Sequence, residues 1–471
     1  MSKPELIRGL TRRDATALVI GAIIGTGIFL KTTAMAQAVG SPQWVLLAWV
    51  AAGVMSLAGA LAYAELGAML PHAGGEYAFL RVAYGDLPAF LFGWMRITVG
   101  ASGSIAIFGV AFATFLSALV PLETVWVQRS FRFLGDQIDW QLGSRQLVSV
   151  GVILICSAVN CLRVVLGGRI QSVLTLVKLL SIAALVGGVF CFGRGTSLEH
   201  FAAPAGGGAW PGWPGFGAAV LAALWAFDGW NNMPMVAGEV RDPSRNIPAA
   251  LIAGTAIVLL TYGLANLAYF YALPFTEILE ANSTAHREAL PVAAKAAQSF
   301  LGENGPKLVS LAFLISVVGV LNGSILANAR VPYAMARDGL FFRRFAVLNA
   351  RTAVPVAAIA GQAVWASVLA VSGTFDQLTN YVVFAGWIFY ALTTSAVFVL
   401  RRKLPDAARP YRTTGYPYVP AIFIVVALAL LWNTLSAARL ESLAGLGLIA
   451  LGLPVYYFLK REAHPAAAGQ P

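Results

Sequence analysis

Apolar positions along this chain do not alternate with polar ones; they run. Stretches of about 20 residues with few charges recur almost from end to end, each long enough to cross a bilayer as a helix. Twelve can be delimited, at 15–39, 44–70, 87–120, 146–162, 168–193, 215–238, 249–273, 305–336, 353–372, 377–400, 417–437 and 440–459. Uninterrupted runs, as opposed to ten-residue alternation, predict helices and not a β-barrel. The expected fold class is therefore an all-α polytopic membrane protein with twelve transmembrane helices. Two of the runs are flawed near their middles. The first contains "GAIIGTGIF" (Gly21–Phe29), with three glycines in seven residues, although each glycine costs a helix interior about 1 kcal/mol against alanine. The sixth contains "LWAFDGWNNMPMVAGEV", where Asp228, Gly229, Asn231, Asn232 and Pro234 stand together. A carboxylate and two amides do not belong at the centre of a lipid-facing helix.

Composition removes the soluble alternative. The 471 residues are 58% hydrophobic and 11% charged, with mean hydropathy +0.74, more apolar surface than a water-soluble fold can hide. The net charge of +11 would suggest nucleic acid, but its placement argues otherwise. With the N-terminus inside, 20 of the 32 lysines and arginines fall in cytoplasmic segments, nine in outer segments, and three (Arg96, Lys178 and Arg330) within spans. This is the positive-inside bias, and an even number of spans puts both termini in the cytoplasm. The first run is too long for a cleaved signal peptide and lacks a small-residue cleavage site, so it serves as its own targeting signal. Cys156, Cys161 and Cys191 lie in or at the ends of spans, and the four histidines lie in loops or the tail. Neither set has the spacing of a metal site. The resulting division is a cytoplasmic N-terminus (1–14), spans one to five (15–193), spans six to ten (215–400), spans eleven and twelve (417–459), and a cytoplasmic tail (460–471) whose end, "AHPAAAGQP", reads as disordered. The longer outer segments 121–144, 194–214 and 274–304 read as loops, and a basic, proline-rich cytoplasmic connector follows span ten.

The interruptions of spans one and six are five spans apart, the sequence sign of a transporter built from two inverted five-helix repeats. Non-helical backbone at membrane depth survives only where it is buried in protein or lines a cavity. Unwinding at Gly25-Thr26-Gly27 would free amide and carbonyl groups that a zwitterion can satisfy. Its carboxylate would meet the amino end of a half-helix and its ammonium the carbonyls at the other end. Lys178 lies about ten residues into span five, roughly 15 Å deep at helical rise, the same depth as Gly25. An isolated ammonium there is costly, and the freed carbonyls are its nearest partners. Bland readings stand beside these. Glycines in membrane helices commonly mark close packing, and it is the matching break in span six that favours unwinding. Asp228 reads equally as a half-helix cap or a substrate contact. Arg96 and Glu65 sit toward cytoplasmic ends, where snorkelling or pairing is the default. Trp225, Phe227 and Trp230 read as core aromatics.

These residues also carry a resemblance. "GAIIGTGIF", "LPHAGGEYAFLRVAYGDLPAFLFGW", "NCLRVVLGGRIQSVLTLVKLL", "LWAFDGWNNMPMVAGEVRDPSRNIPAAL" and "LNGSILANARVPYAMARDGLF" follow one another in the order found in the amino acid–polyamine–organocation superfamily. The chain resembles its L-type amino acid transporter branch over residues 10–460. The resemblance implies a LeuT-type 5+5 inverted repeat plus two helices, with helices one and six broken. It implies that the substrate carboxylate meets the Thr26 hydroxyl and Gly27 amide, and its ammonium the carbonyls of Ile23, Trp225, Ala226 and Asp228. It places an aromatic gate at Trp225, a polar neighbour at Asn231, and a side-chain pocket at Val99, Gly100, Ser104, Ile107 and Phe108. Lys178 matches a lysine that stands in the sodium site of members lacking sodium coupling, with the carbonyls of Gly21 and Ile24 and the Ser324 hydroxyl as partners. Two departures matter. The outer segment 121–144 lacks the cysteine that links a glycoprotein subunit, so no disulfide-linked heavy subunit is expected. Asp228 replaces a family glycine, leaving neutral or cationic substrates open.

The expected activity is sodium-independent transport of neutral L-amino acids across the inner membrane by alternating access, as an exchanger or uniporter. Proton symport and a cationic amino acid or polyamine carrier are the alternatives. No cofactor beyond a coupled proton, no metal and no nucleic-acid partner are expected. A membrane-embedded enzyme would need an intramembrane nucleophile with a base or a metal set, and a channel would show pore rings or filter loops; the sequence offers neither.

Overall fold

The computed structural model describes residues 6–463, apart from 118, 123, 134–135, 163, 203–207, 284–285, 287–288, 373–374 and 438. The tail expected to be disordered lies, from 464 onward, outside the described residues. In chain order the helices are α1 (Arg12–Ile23), α2 (Gly27–Val39), α3 (Pro42–Met69), α4 (Glu76–Tyr84), α5 (Asp86–Met95) and α6 (Ala101–Leu116), then α7 (Ser144–Asn160), α8 (Val164–Phe192), α9 (Gly212–Phe227) and α10 (Asn232–Met235). They continue as α11 (Pro243–Ala272), α12 (Phe275–Leu279), α13 (Val292–Leu301), α14 (Gly305–Asn328), α15 (Arg330–Arg337), α16 (Val356–Ser372), α17 (Phe375–Lys403), α18 (Tyr418–Ala437), α19 (Arg439–Ala450) and α20 (Gly452–Ala463).

Eight described helical segments are long and apolar enough to cross a membrane, and Ser144–Asn160, Val356–Ser372 and Gly445–Lys460 are shorter apolar helices. Leucines, valines and isoleucines stand exposed along the outer faces of the bundle, among them Leu180 on α8, Leu260 on α11 and Val425 on α18. An apolar belt of that extent is stable against lipid tails, not water.

Local chemistry accounts for the ends. Thr11 and Asp14 cap α1 reciprocally, Thr11 N–H donating to Asp14 Oδ2 at 3.0 Å and Asp14 N–H to Thr11 Oγ1 at 3.3 Å, which satisfies two donors the first turn leaves open. Ile24 then turns extended (φ −70°, ψ 95°) and stops the helix. Asp228 is extended likewise (ψ 146°) after α9. Gly229 follows at φ +121°, a conformation that only glycine adopts without strain.

Several expectations are corrected. The segment 121–144, expected as an outer loop, carries a hairpin: β1 (Val125–Phe133) and β2 (Asp136–Gly143) pair antiparallel, Phe133 opposite Asp136. The strands are rich in aromatic and β-branched residues, and Trp140 Nε1 ties the hairpin to Val371 O at 2.7 Å. The outer segment 274–304 contains α12 and α13. Span three is interrupted by a π-helical turn at Arg96–Gly100. Span six ends in only four α-helical residues and a 3₁₀ turn, Ala237–Glu239. Span twelve is divided between α19 and α20.

Behind the two breaks the bundle packs α11 along α1 and α3. Trp49 of α3, Phe227 of α9 and Tyr262 of α11 meet edge-on, Trp49 and Tyr262 with ring centroids 5.4 Å apart. This aromatic wedge packs α9 against α3 and α11.

Candidate functional site: a cavity at two facing helix breaks

The breaks after α1 and after α9 face each other across a cavity. Ala22, Ile23, Gly25, Thr26 and Gly27 line one side, and Trp225, Ala226, Asp228, Gly229 and Asn232 the other. Ser104 and Phe108 of α6, Arg96 of the π turn, and Ser324 and Asn328 of α14 complete the wall. The two broken segments cross in backbone contact. A Cβ on Gly27 would come within 2.5 Å of Ala226 Cα, and one on Gly229 within 2.6 Å of Ala22 O. Gly27 is therefore required by a backbone crossing, not only by the space a carboxylate would need. Thr26 precedes the first turn of α2 without capping it through its side chain, so first-turn donors of α2 remain for another acceptor.

Lys178 of α8 is 2% exposed and donates to Gly21 O at 2.9 Å and Ile24 O at 2.8 Å. The hydroxyl that joins it on Ile24 O belongs to Ser316 of α14, at 3.2 Å, and not to Ser324, which lines the cavity eight residues further along the same helix. Gly319 of α14 gives the lysine its room, since a Cβ there would lie 2.7 Å from Lys178 Cε. Gly21 serves packing as well: a Cβ would fall on the side chains of Gln171 and Thr175 of α8.

The carbonyls expected for the ammonium are partly engaged. Tyr262 donates its hydroxyl between Ile23 O (3.1 Å) and Ala226 O (3.0 Å), and Asp228 N–H donates to Trp225 O at 3.2 Å. Each carbonyl keeps a second lone pair, so these remain usable acceptors. Tyr262 went unnoticed because a tyrosine within a long apolar run carries no distinguishing pattern.

Asp228 accepts from the Tyr390 hydroxyl of α17 at 2.6 Å. Asn231 is not on the cavity wall; its Nδ2 donates to Glu76 Oε1 at 2.8 Å, and the wall amide is its neighbour Asn232. Of the expected side-chain pocket, Ser104 and Phe108 line the cavity and Val99, Gly100 and Ile107 do not. Ser104 donates to Gly100 O at 2.8 Å.

Arg96 is the largest correction. It does not snorkel. It is 6% exposed and lines the cavity, with Nη2 donating to Asn232 Oδ1 at 3.2 Å and to Asn328 Oδ1. The wall therefore carries a cation as well as Asp228, and the end of the cavity formed by Arg96, Asn232 and Asn328 is polar.

On the side of the bundle bearing the N-terminus, three contacts tie the segments next to the cavity together. Arg330 of α15 and Glu239 form a fully buried ion pair at 2.9 Å, Leu10 N–H donates to Glu239 O at 2.9 Å, and Gly74 N–H donates to Met235 O at 3.0 Å.

A family model described as amino acid permease matches residues 10–445. The chain belongs to the amino acid permease family. Among similar proteins, the serine/threonine exchanger of Bacillus subtilis is 31% identical over 95% of this chain and 96% of its own length. The b(0,+)-type amino acid transporter 1 of Mus musculus is 30% identical over 94% of this chain and 85% of its own. The cystine/glutamate transporter of Homo sapiens is 29% identical over 97% and 86%. Family and relatives are transporters of the L-type kind, and the permease is a multi-pass membrane protein.

Proposed function

We propose that the permease exchanges L-amino acids across the inner membrane without sodium, by alternating access between two inverted five-helix repeats. Twelve spans with both termini cytoplasmic, the two facing breaks and two added helices are the architecture of this reading, and no disulfide-linked subunit takes part. Thr26 and the first-turn amides of α2 take the substrate carboxylate. Carbonyls of Ile23, Trp225, Ala226 and Asp228 take the ammonium, and Trp225 covers the site.

The observation that carries the reading is Lys178 on the carbonyls of Gly21 and Ile24. Its fixed ammonium does there what a bound sodium ion would do, tying the broken helix to α8 while Ser316 ties the same carbonyl to α14. The polar end formed by Arg96, Asn232, Asn328 and Ser324 supports a small, neutral, hydrogen-bonding side chain of the sort named for the Bacillus subtilis exchanger. Proteoliposomes loaded with unlabelled L-serine should accumulate labelled L-serine equally in sodium and in choline buffers. A strict sodium requirement, or flux that ignores internal substrate, would sink the proposal.

A further inference from the structure

Beneath the cavity lies a carboxylate that amino acid binding does not use. Glu76 begins α4, in the segment between the second and third spans, and is fully buried. Asn231 holds its Oε1, while Oε2 has no partner. The polar and charged groups that act on it are Tyr63 from α3, Arg96 from the π turn, Asn231 and Asp228 from the break in span six, and Tyr390 from α17. Tyr63 OH likewise makes no hydrogen bond of normal geometry, but it stands close enough to Glu76 to act on its carboxyl as a donor.

The charges do not balance. Arg96 is one cation against two carboxylates, Asp228 and Glu76. Lys178 is engaged with carbonyls of the first break, and Arg330 is paired with Glu239. An uncompensated buried charge is expensive, and one added proton neutralises the group. Asp228 already accepts from Tyr390. Glu76 has the bare oxygen.

We propose that Glu76 is a proton-binding site, loaded while the cytoplasmic side of the permease is closed and emptied to the cytoplasm when that side opens. The step is one protonation: a hydronium ion gives up a proton, its O–H bond breaking as an O–H bond forms at Oε2 and a water is left, while Oε1 goes on accepting from Asn231. The inference rests on the transport reading above for which side is cytoplasmic and for the cycle itself.

Burial pushes the Glu76 carboxyl up to about 7, against the opposing pull of Arg96 and of donation from Asn231 and Tyr63. In the open, hydrated state it returns to the ordinary value near ~4.3. The sign follows. A group whose closed-state pKa is raised favours closure fully below its open-state pKa. That advantage is lost as pH rises toward about 7 and is flat above. Within that window the closed-to-open ratio falls by up to about tenfold per pH unit.

The test measures L-serine exchange in proteoliposomes with equal pH inside and out, from pH 5.5 to 8.5. Wild-type flux should change by at least about threefold between pH 5.5 and 7.5 and then level off. Glu76→Gln, which keeps an acceptor for Asn231, should remove the dependence. Asn231→Ala, which removes a hydrogen bond favouring the charged form, should move the midpoint upward by about one unit or less. A flat wild-type profile, a Gln variant that keeps the wild-type profile, or an Asn231→Ala midpoint that stays or falls overturns the proposal. Absence of any L-serine exchange at every pH would instead count against the transport reading.

Discussion

The two helix breaks face each other, yet they are held by opposite means. At the first, every stabilising group is a donor to a carbonyl: Lys178 on Gly21 and Ile24, Ser316 on Ile24, Tyr262 on Ile23. At the second, groups of both signs meet, with Asp228 on Tyr390, Asn232 on Arg96, and Asn231 on Glu76. A carbonyl cannot titrate, so the first break has one electrostatic state as long as Lys178 stays charged. The second contains two carboxylates, and its charge depends on what binds nearby. The first break is a fixed frame and the second an adjustable one.

That contrast can be broken from either end. The largest effect should come from Gly27→Val, which drives a side chain into the Ala226 backbone where the two breaks cross. It should abolish exchange while the protein still inserts, measured as flux per unit of reconstituted protein; normal flux would mean the crossing is not required. Lys178→Ala should come next. It leaves Gly21 O without this donor, at about 1–3 kcal/mol, and Ile24 O with Ser316 alone; flux should fall by about tenfold to a hundredfold. Sodium should not restore it, and restoration by sodium would show that the lysine had blocked a cation site.

Arg96→Met tests the adjustable side. It removes the cation between Asn232 and Asn328 and should shift selectivity from serine toward apolar amino acids by about tenfold, for roughly 1–3 kcal/mol of lost polar contact. An unchanged ranking in a competition panel would show that Arg96 does not meet the substrate. Ser316→Ala should be mildest. It removes one hydrogen bond from a carbonyl that Lys178 still serves, worth about 1 kcal/mol, and should cost about fivefold in flux. A loss as large as that of Lys178→Ala would make the serine an equal partner.

The legibility of the sequence divides along the same line. Both breaks could be seen, because glycines, an aspartate, two amides and a proline are conspicuous inside apolar runs. Lys178 could be matched to Gly25 because both depths follow from a constant rise along α1 and α8. Beyond an irregularity the counting fails. The π turn at Arg96–Gly100 inserts an extra residue into the helix, so Arg96 and the residues after it face directions that 3.6-residue counting does not give. The break at Asp228–Asn231 does the same in span six, where Asn231 turns toward Glu76 and Asn232 takes the wall. Ser324 was two helical turns from the lysine's true neighbour because the ends of α14 could not be placed from its continuous apolar run. The hairpin was missed because apolar and polar residues within it carry no membrane signal, and one strand pair in a helical protein leaves no repeat to detect.

The backbone crossing of Gly27 on Ala226 and Gly229 on Ala22 has a bearing on how the molecule can be redesigned. The two broken helices cross at this point with only the Ala226 methyl beside the glycines, so under the transport reading it would serve as an axle whose hub must stay thin. Alterations to what the permease carries therefore belong at the rim. Arg96, Phe108, Ser324 and Asn328 reach the cavity from α6, the π turn and α14, elements that are not part of the hub. They can be exchanged for larger or differently charged residues while the turning geometry is left alone.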